Sequence, residues 1–152
     1  WRAVMKKSYN AISKNAPGQV KALELRNVIP QQVSSWLQSD WHKFLGGVQS
    51  FAITLRGGAN SIGQQLGTCP EYPKLTRDLD IYFFDHLANV INFKFAATLD
   101  GPVGCEGTDN HTKFPIRPDH FPQLQSLHLA YVFIDKQLLE AIIGHNETLQ
   151  MI

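Results

Sequence analysis

The chain has 152 residues, of which 43% are hydrophobic and 18% are charged, so a folded core is expected and a disordered, highly charged chain is excluded. Its 14 Lys and Arg residues nearly balance its 13 Asp and Glu residues, and the net charge of +1 predicts no binding to nucleic acid or to an anionic membrane. No apolar run approaches the roughly 18 residues of a membrane-spanning helix, and no secretory leader is visible. Two cysteines do not make a disulfide framework, which favours the cytoplasm or the nucleus.

The first 14 residues are predicted to form the tail of a helix, because four apolar side chains fall on one side of it: Val4, Met5, Tyr9 and Ile12. The start at Trp1 and the apolar end at 149–152 predict a fragment of a longer protein.

After this segment, one apolar pattern recurs along the chain: an apolar residue, two others, an apolar residue, one other and a third apolar residue. Its four complete copies are Val20-Leu23-Leu25, Val48-Phe51-Ile53, Val90-Phe93-Phe95 and Leu124-Leu127-Leu129. A fifth copy begins at Leu149. The end of each copy alternates with the period of a β-strand. Between the copies, apolar spacings of three to five residues predict helices at 31–45, 75–87 and 135–144, and Asp135 is expected to cap the last.

Two long loops follow strands, at 56–73 and 98–122, and hold most of the Gly and Pro residues. The apolar pattern resumes on both sides of each loop, so we interpret them as insertions in a single unit, 1–152, of about four strand–helix repeats. Cys69 and Cys105 lie one in each loop, and the sequence does not decide whether they pair.

The repeats predict parallel strands, since each strand is joined to the next through a helix. Glu24, Ala52, Lys94 and His128 occupy the same position, between the last two apolar residues of each copy. A doubly wound sheet buries both faces of its central strands, whereas this pattern predicts one exposed face. The expected fold is therefore an α/β solenoid, with parallel strands on a concave face and helices on a convex face.

The clearest copy, Leu124 to Leu129, continues with Leu138, Leu139, Ile142 and Ile143 and then with His145-Asn-Glu-Thr-Leu149. Together with Phe121-Pro122 before the strand, it resembles the helix-containing leucine-rich repeats of fungal F-box-like proteins. The resemblance implies a non-catalytic array that recognises substrates for a cullin-type ubiquitin ligase. It implies binding of the ligase adaptor only if an F-box lies upstream, because residues 1–14 are too short to be one.

We expect a protein partner to bind two surfaces, with no cofactor involved. On the concave strand face the expected contact residues are Glu24, Arg26, Thr54, Asn92, Lys94, Ser126 and His128. In the long loops, which would lie side by side as a lid, they are Arg56, Tyr72, His111, Arg117 and His120.

The alternative function is an α/β enzyme or small-ligand binder with its site in the loops that follow the strands. Asp109, His111, Asp119 and His120 suit such a site in type, but their spacing matches no zinc signature, so no metal site is predicted. The segment 57–63 is rich in glycine but lacks the Gly-Lys-Ser/Thr end of a phosphate loop. No nucleophile motif is present, so the prediction is a protein that is not an enzyme.

Overall fold

The computed structural model describes residues 2–56, 71–99, 101–104 and 113–152. The helices of this part are α1 (Arg2–Ile12), α2 (Ser39–Leu45), α3 (Glu71–Arg77), α4 (Leu79–Tyr82) and α5 (Lys136–Gly144), with 3₁₀ turns at Ser34–Leu37 and Phe84–His86. The strands are β1 (Ala22–Val28), β2 (Ser50–Leu55), β3 (Asn92–Ala96) and β4 (Ser126–Ala130). Each strand begins inside one complete copy of the apolar pattern and ends beyond the last apolar residue of that copy, so the predicted strands are confirmed.

These strands form one parallel sheet in the chain order β1-β2-β3-β4. The register follows the repeat, since Glu24 pairs with Ala52, Ala52 with Lys94, and Lys94 with His128. The predicted α/β class with parallel strands is confirmed, together with the predicted equivalence of these four positions.

The same backbone hydrogen bonds recur at every boundary between copies. The carbonyls of Lys21, Gln49, Ile91 and Gln125 each accept two successive N–H groups of the next copy, at 2.8–3.1 Å. The last of these four boundaries joins Gln125 to residues 150–151, and Ser126 and Met151 form a parallel bridge. The fifth copy therefore begins the same pairing as the other four.

Side-chain amides also connect successive helix-to-strand turns. The Asn89 amide donates to the Gly46 carbonyl at 2.6 Å, and the Gln123 amide donates to the Asn89 side-chain oxygen at 3.2 Å. Because these residues immediately precede β2, β3 and β4, the two bonds align three consecutive turns along one edge of the fold.

One face of the sheet is buried and the other is open, as the alternating residues predict. The buried face of β2, β3 and β4 carries large apolar side chains: Phe51, Ile53, Phe93, Phe95 and Leu127. Helical aromatic residues pack on it, with Phe83 lying 5.7 Å from Phe51 and Phe84 lying 5.3 Å from Phe93, ring centre to ring centre. Each such pair adds about 0.5–1.5 kcal/mol beyond the burial of its area.

Two predicted helices are shorter and more broken than expected. The segment 31–45 is a 3₁₀ turn and α2, separated by Gln38 in an extended conformation at φ −90° and ψ 142°. The segment 75–87 divides at Asp78 and at Phe83, whose φ of −138° and ψ of −60° lie outside the helical region. Phe83 and its neighbours are fully buried, so packing against the sheet overrides the helical period. The third predicted helix is confirmed as α5, where the Asp135 side chain accepts the Leu138 N–H at 2.8 Å.

The described parts of both predicted loops contain more structure than expected. Helix α3 begins at Glu71, inside the first predicted loop. Its first turn contains Pro73, at a position where proline is favoured in a helix. In the second loop, Val103 pairs with Val132 beside the end of β4. Phe114 is fully buried, 4.6 Å from Phe95 and 5.6 Å from Phe84 between ring centres. This part of the second loop is hydrophobic core, so it is not the open lid that was expected.

Candidate partner-binding surface

The open face of the sheet, which we call the sheet surface, gathers the strand residues that the sequence predicted. It consists of Glu24, Arg26, Thr54, Asn92, Lys94, Ser126 and His128, none of which is buried. Since neighbouring strands lie about 4.8 Å apart, the row from Glu24 to His128 spans roughly 14 Å. Small residues lie among them, at Ala52, Ala96 and Ala130. A shallow floor between a few polar groups lets another polypeptide approach closely.

Charge on the sheet surface is unevenly distributed. Arg26 and Glu24 form an exposed ion pair, 2.7 Å between Nη2 and Oε2, and this hydrogen bond holds the pKa of Glu24 below its ordinary value. Lys94 makes no ion pair with any described residue. The centre of the surface therefore presents a positive charge without a direct ion-pair partner among the described residues, although it lies near enough to Glu24 to help lower the pKa of that carboxyl. Such a charge favours a partner that brings a carboxylate.

Thr54 has a structural role beside its place on the sheet surface. The register between β1 and β2 shifts between Leu25 and Val28. Within this irregularity Asn27 adopts a left-handed conformation with φ 52°, and its N–H donates to the Thr54 hydroxyl at 2.9 Å. Asparagine is among the few residues that tolerate this conformation, so the local sequence suits a bulge here.

Arg117, predicted as a loop contact, is the centre of an ion-pair cluster. Its guanidinium lies 2.6 Å from Asp85, 3.2 Å from Asp80 and 3.2 Å from Asp119, nitrogen to oxygen. These contacts fasten the second loop to the segment of α4 and the following 3₁₀ turn. The side chain is 41% exposed, so a partner can reach it only in competition with three carboxylates.

His120 belongs to the same cluster but is buried, with 3% of its surface exposed. The Arg117 N–H donates to His120 Nδ1 at 3.1 Å, which assigns the hydrogen of the neutral ring to Nε2, 2.9 Å from Asp85 Oδ1. Burial lowers the pKa of His120, although the Asp85 carboxylate opposes that effect. With both ring nitrogens engaged, the pair fixes the loop and has no open position for a substrate.

The remaining predicted loop residues do not form one site. Tyr72 is buried, and its hydroxyl donates to the Gly101 carbonyl at 2.6 Å; this burial raises its pKa to about 12. The two loops thus meet at Tyr72. The structure places Tyr72 and His120 in the interior, not on the exposed loop surface where the sequence predicted them. Arg56 is exposed at the end of β2, and His111 lies outside the described residues, as do Cys69 and Cys105.

A cavity beside β1 escaped the sequence reasoning. It has a volume of about 470 Å³ and lies between α1 and residues 24–29, which are the last five residues of β1 and Ile29. The residues of α1 that line it are Met5, Ser8, Tyr9 and Ile12. Met5, Tyr9 and Ile12 belong to the apolar side that the sequence predicted for this helix, and this apolar side is the sequence feature that indicates the cavity wall. The cavity opens because β1 lies at the edge of the sheet, a position that depends on the strand order and not on the local sequence.

No group of three or more metal-ligating side chains occurs within 2–56, 71–99, 101–104 and 113–152. Within the same residues, the longest helices are too short and too polar to cross a lipid bilayer. No protein-family model, no curated protein and no solved structure matches this chain.

Proposed function

We propose that the chain is a non-catalytic protein-interaction module, built as a leucine-rich-repeat-like solenoid, whose sheet surface holds a partner protein. The observation that carries this proposal is the in-register row from Glu24 through Lys94 to His128 on an open sheet face. Repeated boundaries with the same hydrogen bonds support an array in which each copy stacks on the one before it.

Recognition of substrates for a ubiquitin ligase is the more specific form of this proposal. It rests on the resemblance of residues 121–149 to the repeats of F-box-like proteins. The partner would then be a degradation substrate, and an F-box elsewhere in the parent protein would bind the cullin-ligase adaptor.

An α/β enzyme is the competing function, and it requires an accessible acid–base pair. Among the described residues, the histidine–carboxylate pair that geometry brings together is His120 with Asp85, and its ring nitrogens are both occupied. This arrangement favours the interaction module over the enzyme.

The proposal is tested by affinity purification of the parent protein from its own cells, in three forms. The wild type is compared with Lys94→Glu, which reverses the charge at the centre of the sheet surface, and with Lys136→Glu, which reverses the charge of an exposed lysine on α5 that lies 3.7 Å from Glu140. We expect a partner that the wild type and Lys136→Glu both retain and that Lys94→Glu loses. Equal recovery by all three proteins would refute the sheet surface as the binding face. Recovery of the cullin-ligase adaptor would support the more specific proposal, and its absence would refute it.

A further inference from the structure

The cavity beside β1 runs along the free edge of the sheet. Successive side chains of a strand point to opposite faces, yet Glu24, Leu25 and Arg26, which precede the irregularity at Asn27, all line this cavity. A space that contacts both kinds of position lies at the strand's edge, where it also meets the backbone. The opposite wall is α1, whose lining residues recur at helical spacing from Met5 to Ile12.

The edge of β1 has the donors that an added strand would use. At each inner boundary, the N–H groups of the second and third residues of a copy donate to one carbonyl of the copy before; Gln49 and Ser50, for example, donate to Lys21. The equivalent groups in the first copy belong to Lys21 and Ala22, at the start of β1 and just ahead of the groove lining, which begins at Glu24. β1 ends the strand order, so no strand of the described chain lies beside them to accept. Unpaired edge groups of this kind are the basis of peptide binding by strand addition.

The floor of the groove is apolar. Tyr9 and Trp36 line it with 4% and 1% of their surfaces exposed, and their rings meet edge to face, 5.4 Å between ring centres. An apolar side chain of an occupant would pack against these two rings.

Positive charge lies at one end of the groove. Arg26 and Arg56 both line it and both are exposed, and Arg56 forms no ion pair with any described residue. The acidic residue of the lining, Glu24, is already paired with Arg26. An occupant with a carboxylate at this end is therefore complementary in charge, whereas one with a lysine is not.

We propose that this groove binds an extended peptide segment of a partner protein, which pairs with β1, buries an apolar side chain against Tyr9 and Trp36, and places an acidic residue against Arg56. This site goes beyond the proposed function and does not rest on it. The groove and the sheet surface share Glu24 and Arg26, but Tyr9, Trp36 and Arg56 belong only to the groove and Lys94 only to the sheet surface.

The test uses the 152-residue chain and a fluorescein-labelled probe, Thr-Val-Leu-Val-Asp-Asp, acetylated at its amino end, with fluorescence anisotropy as the readout. We expect saturable binding that Arg56→Glu weakens by roughly 3- to 10-fold, the effect of reversing one exposed ion pair. The control variant Lys136→Glu should bind normally. The same probe with lysine for both aspartates should bind less well, and an N-methylated probe, which cannot pair with a strand, should not bind.

Three outcomes would overturn the proposal. The first is equal binding of the acidic and the lysine probes, and the second is no effect of Arg56→Glu. The third is protection of the Lys21 and Ala22 N–H groups from hydrogen exchange without any probe. Protection that grows with protein concentration would show that a second copy of the chain covers the edge of β1. Protection independent of concentration would show that another segment of the same chain covers it. Normal binding by Lys94→Glu would separate this groove from the sheet surface.

Discussion

Gly46 and Gly47 follow each other at the end of α2, yet a methyl group added to each should have opposite effects on stability. A Cβ on Gly47 would overlap the backbone of the turn that follows α1, lying 2.9 Å from Gly18 Cα and 2.7 Å from the Pro17 carbonyl carbon, with Gly18 N nearer still. Backbone atoms cannot rotate away as a side chain can. One helix-to-strand turn therefore packs directly on the turn of the preceding copy, and this contact requires glycine at position 47.

The magnitude follows from this geometry. Relieving the overlap means separating two turns that the hydrogen bonds from Gln49 and Ser50 to Lys21 hold together. Overpacking of this kind costs about 1–3 kcal/mol. For a chain of this size each kcal/mol lowers the melting temperature by about 2–4 °C, so Gly47→Ala should melt roughly 2–12 °C below the wild type.

Gly46 provides the matched control. It has ordinary helical dihedral angles, φ −60° and ψ −16°, and an added Cβ would meet its nearest neighbour, the Lys43 carbonyl oxygen, at 3.4 Å. Replacing such a glycine by alanine restricts the unfolded chain and stabilises by about 0.4–1 kcal/mol. Calorimetry should thus place Gly46→Ala at or above the wild type. If the two variants melt together, the turns do not pack on each other as described.

Three further perturbations address other parts of the fold. Asp135→Ala removes the acceptor of the Leu138 N–H and should cost about 1 kcal/mol in urea unfolding, whereas Asp135→Asn should cost much less; equal losses would deny the cap. Burial and the nearby His42 lower the pKa of His86, so unfolding takes up a proton there. The contribution of His86 to stability should be fully present above pH about 6.5 and decline below it. Between pH 7.5 and pH 5, the melting temperature of His86→Gln should therefore fall less than that of the wild type. An equal fall in both proteins would contradict this. Ile143, 59% exposed on α5, should promote self-association that Ile143→Glu reduces in sedimentation velocity; monomers of both proteins at high concentration would contradict this.

The strands and their register were predictable because their information is local. Alternation places Phe93 and Phe95 on one face and Lys94 on the other, and the repeated pattern aligns each strand with the next. The polar residues of the sheet surface follow from the same alternation. The start of α5 was equally visible, since a capping aspartate acts within one turn of its own helix.

What the sequence did not reveal depends on contacts between distant residues. Phe114 and His120 lie in a segment rich in polar and Pro residues, and only the fold brings them against Phe84 and Asp85. The polar composition of this loop predicts that it is exposed, but contacts of a few aromatic side chains with the core bury it. Tyr72 was misplaced for the same reason, because its partner is the Gly101 carbonyl of the other loop.

The central claim is that the sheet surface contacts a partner protein. The most direct measurement places a photo-crosslinking amino acid at position 94 in one form of the parent protein and at position 136 in another, and compares the crosslinked products after irradiation in cells. Both positions carry exposed lysines, one on β3 and one on α5. A defined partner joined to position 94 and absent from position 136 is the result that the account predicts. The same products from both positions, or a partner joined only to position 136, would contradict it.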